Sequence, residues 1–102
     1  MQEFIYTLTP NRPGMVLDEP DAEETAILGH HLEYLNGLLS NEQAILFGRT
    51  QGTGIHTFGI VIFKAKDQVQ AEAIMHADPA VKAGVMTAKL FPYKVIGMSG
   101  RS

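Results

Sequence analysis

The sequence contains no cysteine, and this absence removes several classes of site at once. Without thiols there is no disulfide framework, no cysteine nucleophile and no cysteine-based zinc or iron–sulfur centre. Long apolar runs are also missing, since a run such as Ile60 to Phe63 is far too short to cross a bilayer. The sequence therefore predicts a protein with neither a membrane span nor a thiol-based site.

An excess of positive charge is lacking as well. Eight Lys and Arg residues face eleven Asp and Glu residues, which leaves a net charge of −3, and the basic residues are scattered along the chain. This pattern disfavours nucleic-acid binding, which needs a clustered basic surface. The first residues lack the basic and long apolar segments of a secretion signal. We therefore expect a cytoplasmic protein.

Strand and helix patterns alternate along the chain, and its ordinary composition favours one domain over residues 1–102. The order βαββαβ predicts an α+β, ferredoxin-like fold with a four-stranded antiparallel sheet. A proline-containing loop at 9–20 is a candidate lid, residues 51–54 form a hairpin turn, and the tail at 97–102 should fray. The predicted segments are strand 3–8, helix 22–41, strand 44–50, strand 56–64, helix 68–77, a helical turn 79–84 and strand 86–95.

Helical periodicity places two adjacent histidines on different faces of the first helix. Four of its leucines lie within an arc of about 60° at about 100° per residue, and they predict the buried stripe. His31 lies about 60° to one side of Leu28, beside Leu38, whereas His30 points to the opposite face. His31 is therefore the histidine predicted at the edge of the core. The four leucines are Leu28, Leu32, Leu35 and Leu39.

Both faces of the third strand are apolar, unlike those of a strand with one face in solvent. Two helices can cover only one side of a four-stranded sheet, so the other side needs a partner. A second copy packed sheet to sheet is the simplest partner, which predicts a homodimer. The alternative is that the C-terminal tail or the long loop folds over that side.

From the first helix onward the chain resembles the YCII-related family. The resemblance rests on His31-Leu32, the apolar third strand and above all the segment at 78–85, which reads Asp-Pro-x-Val-x-Ala-Gly-Val. It implies a dimeric α+β barrel, with a pocket between sheet and helices and with His31 and Asp78 as a functional pair. The wider superfamily includes muconolactone isomerases and a dehydrochlorinase. An Arg-Pro pair common in the family before the histidine is replaced here by Leu28-Gly29, and Arg49 is the substitute candidate for binding an anion.

Each candidate residue also has a structural reading. A carboxylate beside an imidazole orients it as a general base, which is the reading for Asp78 and His31. Asp78 is equally suited to cap a short helix that begins at Pro79. Tyr6, Arg49 and Phe91 are the predicted substrate-binding residues, although aromatic residues on strands more often serve a core or an interface.

Metal and cofactor sites are not expected. Four histidines are present, but none forms the His-x-x-x-His spacing that would let two of them share a metal on a helix. The leading hypothesis is a lyase or isomerase acting on a small oxygenated or aromatic-derived molecule, with His31 as general acid and base. The alternative is a non-catalytic dimeric module that binds or senses a small ligand. The substrate itself is not predicted.

Overall fold

The computed structural model describes residues 1–12, 20–52 and 56–99. The α+β fold and its four-stranded antiparallel sheet are confirmed, with strands in the order β2-β3-β1-β4. Residues 13–19 of the candidate lid, residues 53–55 at the hairpin turn and the last residues at 100–102 lie outside the described residues. The elements are β1 Gln2–Pro10, α1 Ala22–Ser40, β2 Ala44–Arg49, β3 Gly59–Ala65, α2 Gln68–Ala77, α3 Pro79–Lys82 and β4 Met86–Tyr93.

The start of α1 is set by a reciprocal pair of hydrogen bonds. The Asp21 carboxylate accepts from the Glu24 backbone N–H at 2.8 Å, and the Glu24 carboxylate accepts from the Asp21 N–H at 3.0 Å. Two backbone donors that a helix start leaves unpaired are thereby satisfied. The predicted helix start is confirmed. Asp67 caps α2 in the same way, through the N–H of Gln70 at 2.9 Å.

Three strand boundaries differ from the predictions by two residues or more. β1 extends through Pro10, which was assigned to the loop, because its last two residues still pair with β4. β3 begins at Gly59 rather than at 56, since Phe58 closes the hairpin through its carbonyl, which accepts from the Thr50 N–H at 2.9 Å. β4 ends at Tyr93 rather than at 95, where the backbone leaves the sheet.

The core lies between one face of the sheet and the helices. Alternate residues of β1 and β3 point into it, as the period of two in a strand requires. Phe63 contacts both aromatic residues of β1, with ring centroids 6.0 Å from Phe4 and 5.6 Å from Tyr6. The buried core residues are Phe4, Tyr6, Leu8, Leu35, Leu38, Ala44, Val61, Phe63, Ala65, Ala71 and Met75.

The helices are rotated relative to the predicted stripes. Leu32 and Leu39 are 51% and 43% exposed, whereas Leu38 is buried. At about 100° per residue, His31 lies only about 20° from Leu38, so it stands near the middle of the buried stripe and not at its edge. In α2 Met75 is buried, whereas Ala77 is exposed.

The second face of the sheet carries an apolar row at its centre and has no described cover. Ile5 pairs with Phe91 and with Ile62 across the sheet, and Leu46 continues the row on β2. Phe91 and Leu46 are 48% and 41% exposed. The described part of the C-terminal tail does not cover this face, because Ile96 and Met98 are exposed in it. In ranges 1–12, 20–52 and 56–99, no helix has the length and apolar character needed to span a bilayer.

Candidate functional site

Asp78 stands at the junction of α2 and α3, where its side chain is fully buried. Its Oδ1 accepts from the Ala80 N–H at 3.0 Å, which caps α3, and Pro79 takes the first helical position. Its Oδ2 accepts from the Tyr6 hydroxyl at 2.7 Å. A buried carboxylate is costly unless it is hydrogen-bonded, and here both oxygens are used.

His31 is the further partner of this carboxylate. It reaches Asp78 from α1, 47 residues earlier in the chain, with Nδ1 at 2.6 Å from Oδ1. Because a carboxylate accepts hydrogen bonds, we assign the proton to Nδ1. The His31 side chain is 14% exposed. Its second nitrogen, Nε2, is therefore the atom that can exchange a proton with a ligand.

Tyr6 makes a contact that was not predicted. Its side chain is fully buried, and its hydroxyl donates to Asp78. Burial, followed by the negative charge of Asp78, raises the pKa of Tyr6. The phenol thus remains a neutral donor that holds the carboxylate in place. The substrate-binding role of Tyr6 stays a prediction, and the contact that the structure shows is the one to Asp78.

Tyr34 is a residue of this region that the sequence analysis missed. Its hydroxyl donates to the Ile74 carbonyl at 2.7 Å and ties α1 to α2. Burial and the nearby Asp78 charge raise the pKa of Tyr34 to about 12. Tyr34 lies three residues after His31, a spacing that puts both on one helix face. That spacing was the signal available in the sequence.

A cavity of about 770 Å³ opens beside His31, between α1 and the sheet. This volume lies within the range of about 300–1,000 Å³ that is usual for small-ligand sites. Arg49, at the end of β2, lines the same cavity, so two of the predicted site residues are brought together here. The lining residues are Leu8, Pro10, Pro20, Leu28, His31, Leu32, Leu35, Phe47, Gly48, Arg49, Gln51, Gly52, Thr57, Phe58, Gly59, Ile60 and Met86.

Phe91 is not part of this site. It pairs with Ile5 on the face of the sheet that points away from the helices. Because successive side chains of a strand point to opposite faces, Phe91 lies across the sheet from the buried Tyr6 and Leu90 side. Phe91 therefore does not line the cavity beside His31, and its role in substrate binding stays a prediction. Within the described part of the chain, no three His, Asp or Glu side chains converge as metal ligands.

Two comparisons with known proteins gave matches. The family model described as the YCII-related domain matches residues 4–93. A solved structure, 5-chloro-2-hydroxyhydroquinone dehydrochlorinase from Burkholderia phenoliruptrix AC1100 in complex with 2,5-dihydroxybenzoquinone, is similar with a TM-score of 0.65 and 21% identity. The similarity covers 89% of this chain and 93% of that one, and it shows a shared fold. A search of curated proteins found no match.

Proposed function

We propose that this chain, which belongs to the YCII-related family, is a small-molecule enzyme of the lyase or isomerase type. His31 is its general acid and base. The observation that supports this proposal is the hydrogen-bonded series from Tyr6 through Asp78 to His31, which ends at a ligand-sized cavity. The protein would need no cofactor for such a proton transfer.

The proposed chemistry assigns a separate task to each residue. Nε2 of His31 takes a proton from a substrate C–H or O–H bond. It then returns the proton to another position in an isomerisation, or keeps it while an anion leaves in an elimination. The negative charge of Asp78 stabilises the imidazolium that forms and holds the ring orientation. Asp78 is thus a positioning residue, and Tyr6 supports it.

The fold of the dehydrochlorinase motivates the first compounds to test, which are small oxygenated rings. That protein holds 2,5-dihydroxybenzoquinone and is named for 5-chloro-2-hydroxyhydroquinone. Loss of HCl from such a ring is an elimination in which a base accepts the proton as chloride leaves. In this proposal, Nε2 of His31 is the base that accepts that proton.

We also propose that two copies form a homodimer through the open face of the sheet. Apolar side chains that are half exposed, such as Phe91 and Leu46, support this assembly. Large exposed apolar patches commonly mark contact surfaces. The cytoplasmic location stays a prediction from the sequence.

The test compares two neighbouring histidines. Chloride release from 5-chloro-2-hydroxyhydroquinone is measured for the wild type, His31→Gln and the control His30→Gln. His30 is the matched control because its side chain is 70% exposed and pairs only with Glu33 at the surface. Loss of a general base should lower turnover at least about 100-fold in His31→Gln, whereas His30→Gln should keep wild-type turnover.

The second candidate function is a non-catalytic binding module. It is favoured by the capping role of Asp78, because the same buried hydrogen bonds would hold α3 and α1 together without any reaction. Binding of 2,5-dihydroxybenzoquinone, followed by NMR of the amide signals, distinguishes the two. Binding without turnover of the chlorinated compound, equally in the wild type and in His31→Gln, would support the module and contradict the enzyme.

A further inference from the structure

We propose that the cavity beside His31 selects a small organic monoanion with an apolar body, and that Arg49 binds its anionic group. This inference rests on the proposed function, since it names the substrate class of the same site. It is carried by the charge of the cavity lining, by the direction of Arg49 and by the apolar surface beside it.

The charge of the cavity differs from that of the whole chain. The sequence has eleven acidic and eight basic residues. Yet Arg49 and His31 are the ionisable residues among the described cavity lining, which includes neither Asp nor Glu. A lining with one fixed cation and no carboxylate attracts anions and disfavours cations. Because His31 must be neutral to act as a base, the site offers one positive charge for one negative charge.

The direction of Arg49 follows from the register of the sheet. Arg49 pairs with Gly59, and Gly59 pairs with Leu8, whose side chain is buried beneath the helices. Cross-strand partners share a face, so Arg49 points to the helix side of the sheet. A Cβ at Gly59 would lie 3.2 Å from the Gly48 carbonyl and 3.7 Å from the Arg49 Cβ. The glycine thus leaves room beside the Arg49 stem.

The guanidinium has donors that the described chain does not use. Its one hydrogen bond is a long one, from Nη1 to the Thr50 carbonyl at 3.4 Å. None of the ion pairs within residues 1–12, 20–52 and 56–99 involves it. A planar guanidinium presents paired donors that match a carboxylate or a similar anion. An anionic ligand would complete these bonds.

The rest of the cavity fits an apolar ligand body. Its lining includes large hydrophobic side chains on α1, on the sheet and just before β3, among them Leu8, Leu28, Leu32, Phe47, Phe58 and Met86. Leu32 and Phe58 are 51% and 44% exposed at this surface. A ring or a branched carbon skeleton would cover them while its anionic group remains at Arg49.

The experiment uses two probes of nearly the same shape, 2-naphthoate and 2-naphthamide, which differ in charge. Dissociation constants are measured by calorimetry and by NMR titration of the labelled protein. The wild type should bind the anion at least about tenfold more tightly than the amide, as expected for one charged hydrogen-bonded contact. Arg49→Gln should abolish this preference. Arg49→Lys should keep part of it, because lysine keeps the positive charge but lacks the paired donors of the guanidinium.

Lys66→Gln is the matched control, because it removes the same charge from an exposed residue just beyond the other end of β3. It should keep the full preference. Equal affinity of the wild type for both probes, no binding of either probe at millimolar concentration, or a preference that survives Arg49→Gln would each overturn the inference. Arg49 is exposed, so its variants should fold, and their amide spectra check this directly.

The two proposals fail in different ways. Anion preference is an equilibrium measurement that needs no turnover. If the preference depends on Arg49 while His31→Gln leaves chloride release unchanged, the acid–base proposal fails and the anion site stands. If His31→Gln abolishes turnover while Arg49→Gln leaves the preference intact, the anion site fails alone.

Discussion

Asp78 takes part in two arrangements that depend on different chemical properties. Capping α3 needs an acceptor oxygen for the Ala80 N–H, whereas orienting His31 calls for a carboxylate. Asparagine is about as good an N-cap as aspartate, so substitution can separate the two. The sequence analysis left both readings of Asp78 open, and the structure shows both sets of contacts on one side chain.

Asp78→Asn is therefore expected to keep α3 while it disturbs His31. The asparagine oxygen can still accept the Nδ1 proton, but the negative charge that stabilises the imidazolium is lost, so turnover of the chlorinated probe should fall about 100-fold or more. Nitrogen NMR of the imidazole reports which ring nitrogen carries the proton, and amide exchange at 79–82 reports the helix. Retention of both the Nδ1 proton and full turnover would show that Asp78 acts only as a cap.

At the scale of elements, the start of α1 is tied to the end of β1 by charge. Arg12 donates to both carboxylate oxygens of Glu24, at 2.8 and 2.6 Å, beside the capping box with Asp21. The hydrogen bond from Arg12 is the main cause that lowers the pKa of Glu24 from 4.5 to about 2, followed by the bond from the Asp21 backbone. The pair fixes the helix that carries His31.

This arrangement predicts a dependence of stability on acid. A carboxyl with a lowered pKa contributes stability above its unfolded value of 4.5, and the contribution disappears as the pH falls from there to about 2. Glu24→Gln should therefore melt below the wild type at pH 7, with the gap closing toward about pH 2. Circular dichroism during heating at several pH values measures it.

Glu23→Gln is the control for this series. Glu23 lies in the same first turn and is exposed, so its variant loses a similar charge near the helix start without the Arg12 contact. A Glu23 variant that melts as low as the Glu24 variant, with the same pH dependence, would mean that general charge at the helix start accounts for the effect.

At the scale of the whole molecule, the proposed homodimer forms through the open face of the sheet. Phe91 is 48% exposed on this face, and Val69 is 76% exposed on α2. If two copies pack face to face, a charge at Phe91 would be buried without a partner, which strongly opposes association. A charge at Val69 should have no such effect.

The expected masses follow directly. The wild type and Val69→Glu should show twice the chain mass of 11.2 kDa by light scattering, whereas Phe91→Glu should shift toward the mass of one chain. A wild type that scatters as a single chain at micromolar concentration would show the homodimer prediction to be wrong. Phe91→Glu should still fold, since that side chain contributes little to the core of one chain.

The sequence by itself determined the features that depend on neighbouring residues. Strand alternation, the start of α1 and the order of elements could be predicted because each is decided by contacts within a few positions of the chain. The resemblance to the family supplied His31 and Asp78 as a pair. Neither the local pattern nor the family resemblance indicated that the Tyr6 hydroxyl would donate a hydrogen bond to Asp78.

Only the tertiary structure decided how these residues meet. The rotation of α1 that centres His31 in the buried stripe depends on a partner 47 residues away, and the Tyr6 bond to Asp78 spans 72 residues. A hydrophobicity pattern assigns leucine rather than histidine to the buried face of a helix. It therefore does not predict that His31 is buried through its hydrogen bond to a buried carboxylate. The side of the sheet that each of Arg49 and Phe91 faces likewise follows from strand register, which pairs distant segments of the chain.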